Sequence, residues 1–104
     1  MRILGIDPGL ATTGWAIVDF DKDGNPSAID YGAISTPKGL GVSERLLEIY
    51  NDMNSLIKKF KPDIAGVEVL LFTNNAKTAM DVGEARGVVL LTLEMNAIPF
   101  KEFN

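Results

Sequence analysis

The chain has 104 residues, enough for a single domain spanning 1–104, and its 46% hydrophobic and 23% charged content is that of a folded globular protein rather than a disordered one. It contains neither cysteine nor histidine, which excludes disulfides, thiolate zinc sites, cysteine nucleophiles and imidazole bases. Fourteen acidic residues against ten basic ones give a net charge of −4, against the pattern of a generic nucleic-acid binder, and no apolar run is long enough to cross a bilayer. Chemistry therefore falls to carboxylates, hydroxyls, amides, Lys and Arg, an alphabet suited to a hard divalent cation.

Arg2 to Asp7 (RILGID) is a short apolar run ended by Pro8-Gly9 and predicts a buried first strand. Gly14 to Phe20 alternates as a second strand, Asp21 to Pro26 is a turn with Asp23-Gly24 as its tight pair, and Ser27 to Ser35 returns as a third. These two form a hairpin, with the first strand antiparallel to the second. After the Pro/Gly loop Thr36 to Val42, the residues Leu46, Ile49, Tyr50, Met53, Ile57 and Phe60 recur at helical spacing. They predict an amphipathic helix from Ser43, its expected cap, to Phe60, with Glu44 in the first turn and Lys58-Lys59 in the last to suit the helix dipole. Lys58, Lys59 and Lys61 read as a solvated helix end, and Pro62 stops the helix. Asp63 to Leu71 is a fourth strand, which a strand-helix-strand crossover places parallel to an existing one. Asn75 to Glu94 is a second helix with Asn75 as N-cap, and Ile98 to Phe103 a short fifth strand. The order βββαβαβ is that of an α/β fold, a mixed five-stranded sheet with helices on its faces.

Two strands share one pattern. Ile3-Leu4-Gly5-Ile6-Asp7 and Ile64-Ala65-Gly66-Val67-Glu68 both read Ile-x-Gly-x-acid. Side chains alternate along a strand, so Asp7 shares a face with Gly5 and Ile3, and Glu68 with Gly66 and Ile64. If the strands are parallel neighbours, about 4.8 Å apart, both carboxylates reach one cation above glycine-lined space. Asp7 also fits the start of a Pro-Gly turn, and Glu68 a solvated face. A carboxylate in so apolar a strand needs a positive partner, and a divalent metal is the economical one.

Leu4-Gly5-Ile6-Asp7-Pro8-Gly9 with Thr13-Gly14, Val67-Glu68, Asn75-Ala76, Ala79, and Gly83-x-Ala85-Arg86-Gly87 together resemble the RuvC family of Holliday junction resolvases, in register over essentially the whole chain. The resemblance implies an RNase H-like fold, here lacking the family's C-terminal helices, and a metal-dependent endonuclease that cuts four-way DNA junctions as a homodimer. It further implies branch-migration proteins as partners and a cytoplasmic location. The first two of the family's four metal-binding positions map to Asp7 and Glu68, the catalytic candidates. The other two, and the family's basic residues, lie beyond Asn104. Two divalent ions, Mg²⁺ or Mn²⁺, would then be bridged by Asp7, with Glu68 holding one of them. Two carboxylates alone predict weak binding and impaired cleavage.

Thr13, Leu71, Phe72, Asn74, Asn75, Lys77 and Arg86 are the DNA-binding candidates. Leu71 aligns with the family's junction aromatic, and Phe72 beside it either takes the stacking role or closes the core. Val69 stands where the family usually has Gln. Asn74, Asn75 and Lys77 are placed to meet a phosphate through helix-start N–H groups and a cation. Ala76, Ala79, Gly83 and Gly87 form a small-residue stripe, read first as close contact with the sheet and second as a helix-helix dimer contact through residues 75–94. Alternatives are a non-catalytic junction-binding or dimerising fragment, a YqgF-type nuclease that processes ribosomal RNA, and a piece of a sugar-kinase or actin-like ATPase, whose Asp-x-Gly opening Asp7 and Gly9 match loosely.

Overall fold

The structure, a computed structural model, describes residues 1–69 and 75–104. Its elements are β1 (Arg2–Asp7), β2 (Thr12–Phe20), β3 (Pro26–Ser35), α1 (Val42–Phe60), β4 (Ile64–Glu68), α2 (Ala76–Met95) and β5 (Phe100–Phe103). They form one sheet in the order β3-β2-β1-β4-β5. β1, β2 and β3 pair antiparallel, and β1, β4 and β5 parallel. The β2–β3 hairpin closes as its sequence dictates. Gly24 takes a positive φ of 83° and donates its N–H to Asp21 O, while Asp21 Oδ1 accepts the N–H groups of Asp23 and Asn25, each at 2.9 Å.

Both helices pack on the same side of the sheet. The two crossovers, β3 to β4 and β4 to β5, advance in the same direction across it, and crossovers of one hand then lay both helices on one face. Leu4, Ile6, Ile17, Ile34, Ala65 and Val67 alternate onto that face and meet Ile49, Met53, Ile57 and Phe60 of α1 with Ala85, Val89 and Leu93 of α2. The Trp15 and Phe60 rings, 5.9 Å apart, seat α1 against β2. The other face of the sheet carries no helix among the described residues.

The helix ends refine the sequence reading. α1 starts one residue earlier than predicted, and Ser43 lies inside it; the N-cap is Gly41, extended and without a side-chain cap. Lys61, in the left-handed region, donates to Ile57 O and ends α1 before Pro62. Asn75 caps α2 as expected, its side chain accepting from the N–H groups of Lys77 and Thr78. At the far end Ala97 (φ 55°) donates to Glu94 O and Ile98 to Leu93 O, a Schellman closure that draws Ile98 into the core. For that reason β5 begins at Phe100, not at Ile98.

Candidate metal centre

The twin motifs lie side by side. In the parallel β1–β4 pair, Ile3 faces Ile64, Leu4 faces Ala65, Gly5 faces Gly66 and Ile6 faces Val67. The next step brings Asp7 alongside Glu68 at the C-terminal ends of both strands. Asp7 is also opposite Gly14 of β2, and Glu68 opposite Phe103 of β5. The uncovered face therefore shows three successive rows: aliphatic Val18, Ile3 and Ile64; small Ala16, Gly5 and Gly66, with Lys101 at the β5 edge; and the acid row Gly14, Asp7, Glu68 and Phe103.

Asp7, Glu68, Gly5, Gly14, Tyr31 and Phe103 line one open cavity of about 420 Å³. Small residues make its floor. A Cβ on Gly14 would stand 3.8 Å from the Asp7 Cβ, and the Phe103 ring lies over Gly66, 3.2 Å from where a Cβ would be. Asp7 is exposed and Glu68 half-buried. Among the described residues neither carboxylate makes a hydrogen bond or ion pair; the ion pairs are Arg2–Asp19, Lys77–Asp81 and Arg86–Glu102. Two uncommitted carboxylates converging on one cavity fit a hard divalent cation as ligands. No third acid joins them among the described residues.

The turn after Asp7 is tightly built. A Cβ on Gly9 would fall 2.3 Å from Thr12 O, so only glycine fits there. Thr13 Oγ1 donates to Gly9 O at 2.7 Å and accepts from Gly9 N–H at 3.2 Å. Thr13 is 1% exposed, which corrects its place among the DNA-facing candidates: its hydroxyl is committed to closing this turn.

Of the remaining candidates, the described ones (Asn75, Lys77 and Arg86) do not line the cavity of the two carboxylates. Asn75 Oδ1 already occupies the N–H groups of Lys77 and Thr78, so those donors are not available to a phosphate, contrary to expectation. Lys77 Nζ is exposed and pairs with Asp81 at 3.0 Å. Arg86 is half-buried and paired with Glu102 beside the β5 edge. Leu71, Phe72 and Asn74 lie outside the described residues. Among the described residues Gly83 and Gly87 have nothing within 4 Å of a Cβ, and with Ala76 and Ala79 they are exposed. The favoured reading of that stripe, contact with the sheet, is thereby overturned: the sheet takes the Ala85, Val89, Leu93 side of α2 instead. Tyr31 and Phe103 were missed as cavity walls, although both follow from strand alternation once the register is known. A second groove of about 300 Å³ between β3 and α1, lined by Trp15, Asp30, Asp52 and Lys59 among others, includes neither Asp7 nor Glu68.

A five-stranded mixed sheet of this order, with acids ending its two central parallel strands, defines an RNase H-like fold. Residues 3–104 match the family profile described as crossover junction endodeoxyribonuclease RuvC, and the chain belongs to that family. The relative from Chloroflexus aurantiacus of that name is 50% identical over 103 residues, covering 99% of this chain, and the one from Caldicellulosiruptor saccharolyticus 44%. The chain spans 62% of the length of either relative. Among solved structures, Thermus thermophilus RuvC in complex with a Holliday junction substrate superposes with a TM-score of 0.91 at 24% identity, over 99% of this chain and 62% of that one. The yeast mitochondrial Holliday junction resolvase Ydc2 follows at 0.67 and 14% identity, over 96% of this chain and 48% of that one.

Proposed function

We propose that this chain supplies the first two carboxylates of a Holliday junction endonuclease, which cuts phosphodiesters in four-way DNA junctions during recombination and repair. The observation that carries the proposal is the parallel register that sets Asp7 beside Glu68 in one cavity with neither acid committed to a protein partner among the described residues. Asp7, the more exposed acid, and Glu68, half-buried beside it, would together hold the ion. Mg²⁺, with Mn²⁺ as substitute, is the matching ion class, and when bound it stabilises charge at a phosphodiester and makes attack by water feasible near neutral pH. Two carboxylates fill only part of an octahedral shell, so binding by this chain is weak and cleavage slow or absent unless further ligands are supplied. Carboxylates from the family's C-terminal segment are the expected source.

Junction DNA is the expected partner, in line with the junction complex of the Thermus relative. Self-association through α2 is supported by its exposed small-residue stripe and the neighbouring exposed Met80, Leu91 and Met95. Branch-migration proteins and a cytoplasmic setting rest on family resemblance alone.

The test is a Mn²⁺ titration followed by water-proton relaxation. The expected result is weak binding to the natural chain that falls at least about tenfold in Asp7→Asn and Glu68→Gln. Equal affinity in all three proteins ends the site assignment. Cleavage of junction DNA against precursor RNA separates this reading from an RNA-processing one.

A further inference from the structure

Behind Asp7 the chain turns through Pro8–Ala11 before re-entering the sheet, and one distant residue fastens that turn. Thr36, which follows β3 and is 6% exposed, donates its backbone N–H to Ala11 O at 3.0 Å and its hydroxyl to Leu10 O at 2.7 Å. That hydroxyl in turn accepts from Arg45 Nε at 2.8 Å, and Arg45 Nη2 donates to Thr36 O at 3.1 Å. The Leu10 side chain is anchored in the core, and Gly9 is held by Thr13. Three consecutive residues, beginning two after Asp7, are thus fixed from outside the turn.

Arg45 is an unusual residue to find there. It lies in the first turn of α1, the end where the helix dipole disfavours a cation, and it has no carboxylate partner among the described residues. Its guanidinium grips a hydroxyl and a carbonyl of one residue. A charged donor polarises the Thr36 hydroxyl, which strengthens the hydroxyl's own donation to Leu10 O. The geometry points to Arg45 and Thr36 as positioning residues for the cation site: the Arg45–Thr36–Leu10 chain of hydrogen bonds sets the turn that aims Asp7 into the cavity shared with Glu68. This inference rests on the metal reading above.

Thr36→Val removes the hydroxyl at nearly constant shape, Thr36→Ser keeps it, and Arg45→Lys keeps the charge without the fork. The readouts are Mn²⁺ affinity and amide hydrogen exchange, with Asp7→Asn as reference. Thr36→Val and Arg45→Lys are expected to speed exchange at Leu10–Thr12 and to weaken Mn²⁺ binding by about tenfold, with Ile49–Ile57 of α1 still protected. Thr36→Ser is expected to behave as the natural chain. If Asp7→Asn abolishes Mn²⁺ binding while Thr36→Val and Arg45→Lys leave it unchanged, the positioning role is wrong and the metal reading stands. A general loss of protection across α1 in both variants also overturns it, because that marks a purely structural role. If Asp7→Asn binds Mn²⁺ as the natural chain does, the metal reading fails and the positioning role falls with it.

Discussion

Gly9 is the position where one methyl group would do the most damage. A Cβ there would stand 2.3 Å from Thr12 O, a backbone atom that cannot rotate aside, whereas a Cβ on Gly66 meets only the edge of the Phe103 ring. Gly9→Ala is expected to lower stability by about 1–3 kcal/mol in urea denaturation, and to weaken Mn²⁺ binding because relief must come from the turn behind Asp7. Gly66→Ala should cost less, since a ring on an exposed strand end can swing away. At the opposite end of the sheet, Arg2 joins three elements: it donates two hydrogen bonds to Asp19 of β2 and one to Phe60 O at the end of α1. That guanidinium holds the Asp19 carboxyl below its ordinary range. A carboxyl depressed in the folded state contributes stability that is fully present above its unfolded pKa, about 3.9, and is lost as pH falls through the lower folded value. Denaturation midpoints measured at pH 7 and at pH 2–3 should therefore fall further for the natural chain than for Asp19→Asn. Parallel decline in both would show that the pair adds nothing; about a third of each side chain is exposed, so solvent screening is expected to keep the difference small.

At the scale of elements, α2 separates folding from association. Its inner side, Ala85, Val89, Thr92 and Leu93, is buried, while Gly83 and Gly87 stand in open space. Glycine inside an exposed helix face costs about 0.5–1 kcal/mol each relative to alanine, so Gly83→Ala and Gly87→Ala should each stabilise the dilute monomer by that amount. If the stripe is a close helix-helix contact, the same substitutions hold two backbones apart, and sedimentation should show weaker self-association even as thermal stability rises. A rise in both would remove the stripe from the interface. The stripe also shows how far a sequence can be read. Spacing tells which residues share a helix face, and it grouped Ala76, Ala79, Gly83 and Gly87 correctly. It does not tell which face points inward when the helix is apolar nearly all round, with Val82, Val88, Leu90 and Leu91 flanking the buried set. The strands were more legible. Ile-x-Gly-x-acid repeated in two runs was enough to foresee that Asp7 and Glu68 stand together, because strand period and parallel pairing leave little freedom. Thr36 and Arg45 escaped notice because their hydrogen bonds join positions 26 and 9 residues apart, with no local pattern to announce them. Ser43 looked like a cap by residue type, yet the turning residue is the extended Gly41 just before it.

Among its described residues the molecule is one-sided. Its accessible surface is 6470 Å², against about 5,700 Å² for a compact monomer of this length, and its radius of gyration is 13.8 Å against about 12.8 Å. Much of the difference has a place: helices cover one face of the sheet, while Val18, Ile3, Ile64, Tyr31 and Phe103 stand on or beside the other, around the two acids. Tyr31 is 79% exposed and Phe103 52%, large apolar bodies that a closed two-sided sheet would cover. The uncovered face should therefore bind an apolar dye such as ANS in the native state. Such binding is also the mark of a molten globule, so near-UV circular dichroism must be retained in the same sample. Tyr31→Ser combined with Phe103→Ser is expected to remove at least about half of the fluorescence while changing stability by no more than about 1 kcal/mol, since neither ring belongs to the helix-side core. Mn²⁺ binding offers the internal control: neither ring supplies a cation ligand, so affinity should persist in the double variant. Dye fluorescence unchanged by the two substitutions would place the apolar surface elsewhere, with the exposed side of α2 the next face to test.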